Sequence, residues 1–275
     1  MNSVNGSIHL PSAGREAENA FQARPFVSPH PIAQVTDPSA PRVIGSDLTL
    51  SDCAGLEARW IDRSLAVEAG LRRVDSLSGA EIVGRKGGNH AGIVIPYFHP
   101  GSDQVREYRL RRDHPDLEYD SAGNLKTRQK YLSPPGRSNM LYVVPGVGPE
   151  LLRDANTPVV ITEGEFKALA LWRLATHGSP PQPRFLPLGL SGVYNWRGTV
   201  GKTVGPDGSR LDVKGTIPDL DWVAWQGRKV VIAYDADVVT KDLVRIARSE
   251  LAAHFAGTGC FGGIPRMGCD QRQGH

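Results

Sequence analysis

The residues that could do chemistry are carboxylates, and they sit at the ends of two short apolar runs. One run reads Pro158-Val-Val-Ile-Thr-Glu163-Gly164-Glu-Phe-Lys167, the other Arg228-Lys-Val-Val-Ile-Ala-Tyr-Asp235-Ala-Asp237. Runs such as Val159 to Ile161 and Val230 to Ala233 read as buried parallel strands. Ligands of an open α/β sheet bind just beyond the carboxyl ends of its strands. Glu163, Asp235 and Asp237 are therefore expected to meet at one rim. Three converging carboxylates suit a hard divalent cation, Mg2+ or Mn2+. Such a cation serves phosphoryl and nucleotidyl transfer by stabilising the attacking and leaving oxygens.

Each residue also has a plainer reading. Glu163 and Glu165 would both favour a helix N-terminus, with Thr162 or Glu163 opening a helix that runs to about Thr176. Asp235 and Asp237 would serve as turn residues before a helix capped by Thr240. Lys167, four residues after Glu163, would form a surface ion pair on one helix face. The alternative for Lys167 is a phosphate contact beside the metal. Glu163 is either a metal ligand or a general base.

A basic group lies upstream: Arg106, Arg109, Arg111, Arg112 and Lys130. Arg109 and Arg111 share a strand face by period two. Arginine suits bidentate phosphate contact, so Arg109, Arg111 and Lys130 are expected to bind a template or nucleotide phosphates. Tyr131 is either a base-stacking platform or a half-buried strand residue. Gly198-Thr-Val-Gly201-Lys202-Thr203 falls short of a phosphate-binding loop, because Trp196 stands where the first glycine is needed. A basic loop carrying Lys202 to nucleic acid is the expectation instead.

These motifs resemble the Toprim domain of DnaG-type primases, topoisomerases and some nucleases, which carries a Glu-Gly after one strand and an Asp-x-Asp after a later one. The resemblance covers about residues 157 to 257. Residues 92 to 143, with Ile95-Pro96, Arg109-Leu-Arg111, Lys130-Tyr131-Leu-Ser-Pro134 and Leu141-Tyr142, are similar to the segment that precedes Toprim in those primases. Thr162-Glu163-Gly164-Glu165-Phe166-Lys167 and Gly192-Val-Tyr-Asn-Trp196 resemble a Toprim-like domain-of-unknown-function family common in mobile elements. The resemblance implies a Mg2+-dependent, primase-like nucleotidyltransferase of a plasmid, phage or other mobile element. Its partners would be a single-stranded DNA template, nucleoside triphosphates and a replicative helicase. A Toprim nuclease and a non-catalytic nucleic-acid-binding replication module are the alternatives. No Cys-x-x-Cys pair is present to build the zinc module that often precedes a primase core.

The elements that must position these residues follow. The expected fold is α/β: a Toprim-like parallel sheet flanked by helices, preceded by a small α+β domain with a basic β-hairpin. Residues 1–45, rich in proline, read as a disordered tail, 46–147 as the small domain, 148–260 as the Toprim-like domain, and 261–275 as an irregular, truncated or frame-shifted tail. Thr49 to Gly70 reads as helical, capped by Ser51 or Asp52, with Leu56, Trp60, Leu65 and Val67 making apolar contacts. Ile93 to Ile95 and Val105 to Leu110 form the hairpin, Asp113 to Lys126 a polar loop and Gly146 to Pro149 a linker. A second strand spans Phe185 to Leu190. The last helix presents Leu243, Ile246, Ala247, Leu251 and Phe255 on one side. Glycines beyond Gly257 predict that 258–275 form no useful strand and leave a sheet edge uncovered.

Composition sets outer limits. The 275 residues carry a net charge of +3, with 40% apolar and 22% charged side chains, ordinary for a globular protein. Three scattered cysteines suggest a reducing compartment, and the cytoplasm is the expected location. No apolar run approaches the roughly 20 residues of a membrane span, and no membrane partner is expected.

Overall fold

The computed structural model describes residues 44–121, 123–235, 242–259 and the backbone of 261–263. Two units are distinguished: Met1–Arg42, which lies outside the described residues, and Val43–His275, to which everything below belongs. The Pro-rich tail expected over 1–45 thus falls almost wholly outside the described residues, as do Asp237 and Thr240.

The first elements are α1 (Leu50–Glu57) and α2 (Arg63–Glu68), where one helical stretch was expected. Thr49, not Ser51 or Asp52, is the N-cap of α1. Its hydroxyl accepts from the Asp52 N–H while the Asp52 carboxylate accepts from the Thr49 N–H, a reciprocal pair that satisfies two orphan donors. The break between the helices falls at Trp60, whose backbone is left-handed at φ 64°. That turn swings Trp60 into solvent, and Val67 is also exposed, so neither makes the expected core contact. Leu56 and Leu65 do.

Strand β1 (Arg72–Val74) and helix α3 (Ser76–Ile82) lead into the expected hairpin, β2 (Gly92–Phe98) and β3 (Val105–Arg112). Its antiparallel register sets Ile95 opposite Arg109 and Tyr97 opposite Glu107. The segment expected as a polar loop is a second hairpin, β4 (Asp116–Tyr119) and β5 (Leu125–Arg128), exposed along its whole length. A two-strand ribbon with no apolar face buried gives no hydrophobic alternation to read, which is why its sequence looks like a loop. Strand β6 (Tyr131–Leu132) then pairs with β3, completing a sheet of order β1-β2-β3-β6.

The second sheet is built from β7 (Leu141–Val143), β8 (Val159–Glu163), β9 (Leu186–Leu190), β12 (Lys229–Ala233) and β13 (Phe261–Gly263), once two intervening strands are counted. Those two, β10 (Arg197–Val204) and β11 (Arg210–Thr216), form a hairpin arm, and a 3-10 turn over Pro218–Trp222 follows. The sheet order is β13-β12-β8-β9-β7. All neighbours run parallel except β7, which is antiparallel to β9. Helix α4 (Pro149–Arg153), begun by a proline at its first turn, replaces the end of the expected linker. Helix α5 (Glu165–Thr176) joins β8 to β9, and α6 (Asp242–Gly257) joins β12 to β13. These crossovers leave the centre in opposite directions, so the right-handed rule sets the two helices on opposite faces. On α6 only Ala247, Leu251 and Phe255 are buried; Leu243 and Ile246 are exposed. The buried stripe is therefore narrower than the sequence pattern suggested.

The edge expected to lie bare is covered by β13, whose Phe261 and Gly262 pair with Lys229 and Val230. Three residues are enough because ladder hydrogen bonds come from the backbone, which glycine also supplies. One core runs through both sheets: Ile95 and Tyr97 of β2, Tyr142 of β7 and Ile161 of β8 belong to the same cluster. Arg228, fully buried, donates to the carbonyls of Leu151, Leu152 and Thr157 at 3.0, 2.7 and 2.7 Å. The first two are C-terminal carbonyls of α4 that the helix itself leaves unpaired.

Candidate active site

Glu163 is the last residue of β8 and lies beside Leu190, the last of β9. Asp235 follows β12 by two residues, and β12 pairs with β8 on its other side through Ala233 and Thr162. The chain moves from β8 to β9 in one direction, while β12 and β13 extend in the other. Glu163 and Asp235 therefore flank the point where the strand order reverses, the crevice in which such sheets bind ligands. A cavity of about 370 Å3 opens there, lined by Glu163, Lys167, Asp235, Arg59, Arg109 and Tyr131 among others.

Gly164 makes the sharp exit from strand to helix. It has φ 93°, a left-handed backbone that side-chain-bearing residues avoid, and its N–H donates to the Leu190 carbonyl at 2.7 Å. Glu163 is thus on the strand, not on the helix. Lys167 consequently does not sit one turn along from it; its ammonium reaches across to Asp235, 2.6 Å from Oδ1. Tyr234, buried behind the rim, donates to the Val193 carbonyl, and its hydroxyl is pushed above the usual range by burial and by the charge of Glu163. Among the described residues no three His, Cys, Asp or Glu side chains stand together as a ready metal cage. The cavity wall carries Glu163, Asp235 and Glu165, and the last is engaged by Tyr97 and Arg109. Two carboxylates suit Mg2+, which commonly keeps several waters and takes its remaining ligands from substrate phosphates. The third expected ligand, Asp237, lies outside the described residues.

Glu165, read from sequence as a helix-start charge at most, is a structural anchor. It is buried, accepts from the Tyr97 hydroxyl at 2.5 Å and from Arg109 Nη1 at 2.5 Å. Arg109 also donates to the Ser191 carbonyl at 3.3 Å and lies 5.0 Å over the Tyr131 ring. Burial, then the Glu165 carboxylate, lifts the Tyr97 hydroxyl well above its ordinary range. Arg109 therefore lines the cavity with its charge already answered. It ties the hairpin sheet to the first turn of α5, next to Glu163.

Arg111 shares that face, as period two requires, and stacks 5.6 Å over the ring of Phe166. Lys130 is exposed, and its ammonium is held below the usual range by partial burial and by the neighbouring Arg111 and Arg59. None of Arg59, Arg111 and Lys130 is in an ion pair with a carboxylate among the described residues. Like charges held together without a neutralising carboxylate raise the local positive potential beside the cavity. Arg59 carries no sequence signal; it arrives from the break after α1. The other arginines are engaged elsewhere, Arg106 with Asp219 and Arg112 with Asp116.

Lys202 does not reach this cavity. The segment expected as a basic loop is β10 of the hairpin arm, where Lys202 pairs with Asp212 at 2.5 Å. Gly201 and Lys202 sit in mid-strand, so no phosphate loop exists there. Trp196 is buried.

Comparison with known proteins adds one sequence match. Residues 150–272 match the family described as "Domain of unknown function (DUF3854)". The match covers a little under half of the chain, the half for which the sequence resembles a Toprim-like domain-of-unknown-function family. No curated protein matches the chain. Among solved structures, the crystal structure of the Aquifex aeolicus primase (zinc-binding and RNA polymerase domains) is similar, with a TM-score of 0.47 and 16% identity. That alignment covers 78% of this chain and 49% of the primase chain, so this chain spans about half the length of that one.

Proposed function

We propose that this chain is a Toprim-type, Mg2+-dependent nucleotidyltransferase acting on single-stranded DNA, a primase-like replication protein of a mobile element. The observation that carries the reading is the presence of Glu163 and Asp235 on one cavity wall, either side of the reversal point of a parallel sheet, near Arg59, Arg111 and Lys130, none of which is in an ion pair with a carboxylate among the described residues.

Glu163 and Asp235 would hold Mg2+ or Mn2+, which when bound supplies charge stabilisation at the triphosphate. Glu163 would organise that site or take the proton of the attacking 3′-hydroxyl. Lys167 holds Asp235 in place until substrate arrives and then offers its ammonium to a phosphate oxygen. Arg111 and Lys130 would grip the template or triphosphate backbone, since guanidinium and ammonium groups position phosphates without reading sequence. Nucleoside triphosphates and a single-stranded template are the substrates implied, with a replicative helicase as partner in the cytoplasm. Among the described residues no helix is long and apolar enough to cross a membrane.

Incubation of the full chain with single-stranded DNA, nucleoside triphosphates and Mg2+ or Mn2+ tests the reading. New primers that vanish with chelator support it. Template cleavage without synthesis identifies a nuclease instead. Binding with neither reaction identifies an accessory module.

Single-stranded DNA affinity is expected to fall linearly with salt on logarithmic axes, because phosphate contacts release counterions. Arg111→Ala is expected to weaken binding to all sequences alike and to reduce the slope by about 1. An unchanged slope and affinity would remove Arg111 from the nucleic-acid surface.

A further inference from the structure

The same rim carries a second cavity. Leu141, the first residue of β7, pairs with Leu190 of β9, which in turn pairs with Glu163. Two strand spacings, roughly 10 Å, separate Leu141 from the carboxylate rim. Beyond Leu141, between β3, the segment 136–140 and the hairpin arm, lies a cavity of about 450 Å3. Its walls include the apolar side chains of Met140, Val200, Ile217 and Pro218.

The unusual group there is Glu107. Its side chain is 2% exposed, and neither carboxylate oxygen accepts a hydrogen bond from the described residues. Arg137 stands with Nε 2.7 Å from Oε2, close enough to be an ion pair but not aligned as a hydrogen-bond donor. Burial pushes the Glu107 carboxyl above its usual range, against the pull of Arg137. Buried carboxylates are normally hydrogen-bonded, and leaving one unanswered costs stability. Arg106 does not answer it: its Nη atoms go to Asp219 and to the Leu141 carbonyl, and its Nε is buried without a partner among the described residues.

We propose that this cavity binds the base of a guanine nucleotide, with the half-exposed Arg137 swinging off Oε2 so that Glu107 accepts from two adjacent N–H donors. An ionised carboxylate is acceptor-only and can take two parallel donors. Guanine places N1–H and its 2-amino group side by side on one edge. Adenine, cytosine and thymine each offer a single donor group there. The apolar walls suit a flat ring, and Arg137, half exposed at the opening, suits a phosphate. A guanidinium compound would offer the same paired donors, but Arg106 and Arg137 oppose a cationic ligand. The site is independent of the nucleotidyl-transfer reading, and Glu163→Gln is expected to leave it unchanged.

Titration of the full chain with GMP, IMP and AMP, followed by calorimetry, tests the assignment. IMP lacks only the 2-amino donor. GMP is expected to bind about tenfold or more tighter than IMP or AMP, the worth of one hydrogen bond to a buried charge. Glu107→Gln is expected to erase that preference while melting close to the parent protein, since the Arg137 charge it leaves behind is half exposed to solvent. Arg137→Ala is expected to weaken GMP but not guanosine. If Glu107→Gln does not fold, Val200→Trp, which fills the cavity from the arm, must abolish GMP binding. An oligo-dT carrying one central dG, compared with oligo-dT alone, tells a base within a strand from a free nucleotide. Equal binding of the three nucleotides, a preference that survives Glu107→Gln, or no GMP binding at millimolar concentration would overturn the proposal.

Discussion

Glu163→Gln is expected to lower the rate of nucleotide incorporation by about 10²–10⁴-fold, the span for losing a general base. The substitution keeps the shape of the side chain and removes its charge. Glu163 is half-buried at a strand end, and its backbone pairing with Leu190 does not depend on the carboxylate. The variant should therefore fold and melt like the parent. Its single-stranded DNA affinity should also persist, because Arg111 and Lys130 lie on other elements. The measurement is single-turnover primer synthesis at saturating template and nucleotide, with Mg2+ titrated. A loss in rate that excess Mg2+ partly restores points to a metal-organising role. A loss that Mg2+ leaves untouched points to proton transfer. Activity within tenfold of the parent would remove Glu163 from the chemistry.

The parts of the site legible in sequence are those fixed by strand ends. Val159 to Ile161 and Val230 to Ala233 are apolar runs long enough for a buried strand and too short for a helix, so the positions of Glu163 and Asp235 followed. The hairpin carrying Arg109 and Arg111 followed from alternation. What sequence could not show is pairing across long separations. Lys167 looked like a helix neighbour of Glu163 until the left-handed Gly164 placed Glu163 on the strand. Glu165 looked like a spare first-turn charge, because its partners Tyr97 and Arg109 lie 68 and 56 residues away. Arg59 enters the site only through the backbone turn at Trp60. The two exposed hairpins were invisible for another reason. Neither buries a face, so their residues lack the period that burial imposes. The edge strand Phe261–Gly263 was missed because glycine weakens strands on average, whereas here it has only to complete a ladder.

Glu165→Ala is expected to destabilise the chain by about 3–5 kcal/mol, as for other buried ion pairs broken from one side. The Glu165 side chain is 2% exposed and that of Arg109 14%, so solvent screens their interaction little. Removing the carboxylate leaves the guanidinium buried and the Tyr97 hydroxyl without its acceptor. It also unpins the first turn of α5 from the hairpin sheet, one residue after the Gly164 hinge. Chemical denaturation monitored by tryptophan fluorescence gives the loss directly. Replacing both charges, Arg109→Met with Glu165→Leu, should recover much of it, since well-packed apolar pairs often match buried ion pairs in stability. The double variant would still lack the tie that holds Glu163 and Lys167 in register with the hairpin. Its stability should therefore return while nucleotide incorporation stays low. A Glu165→Ala chain that loses under about 1 kcal/mol would mean that water reaches Arg109 freely and that the pair is a surface contact.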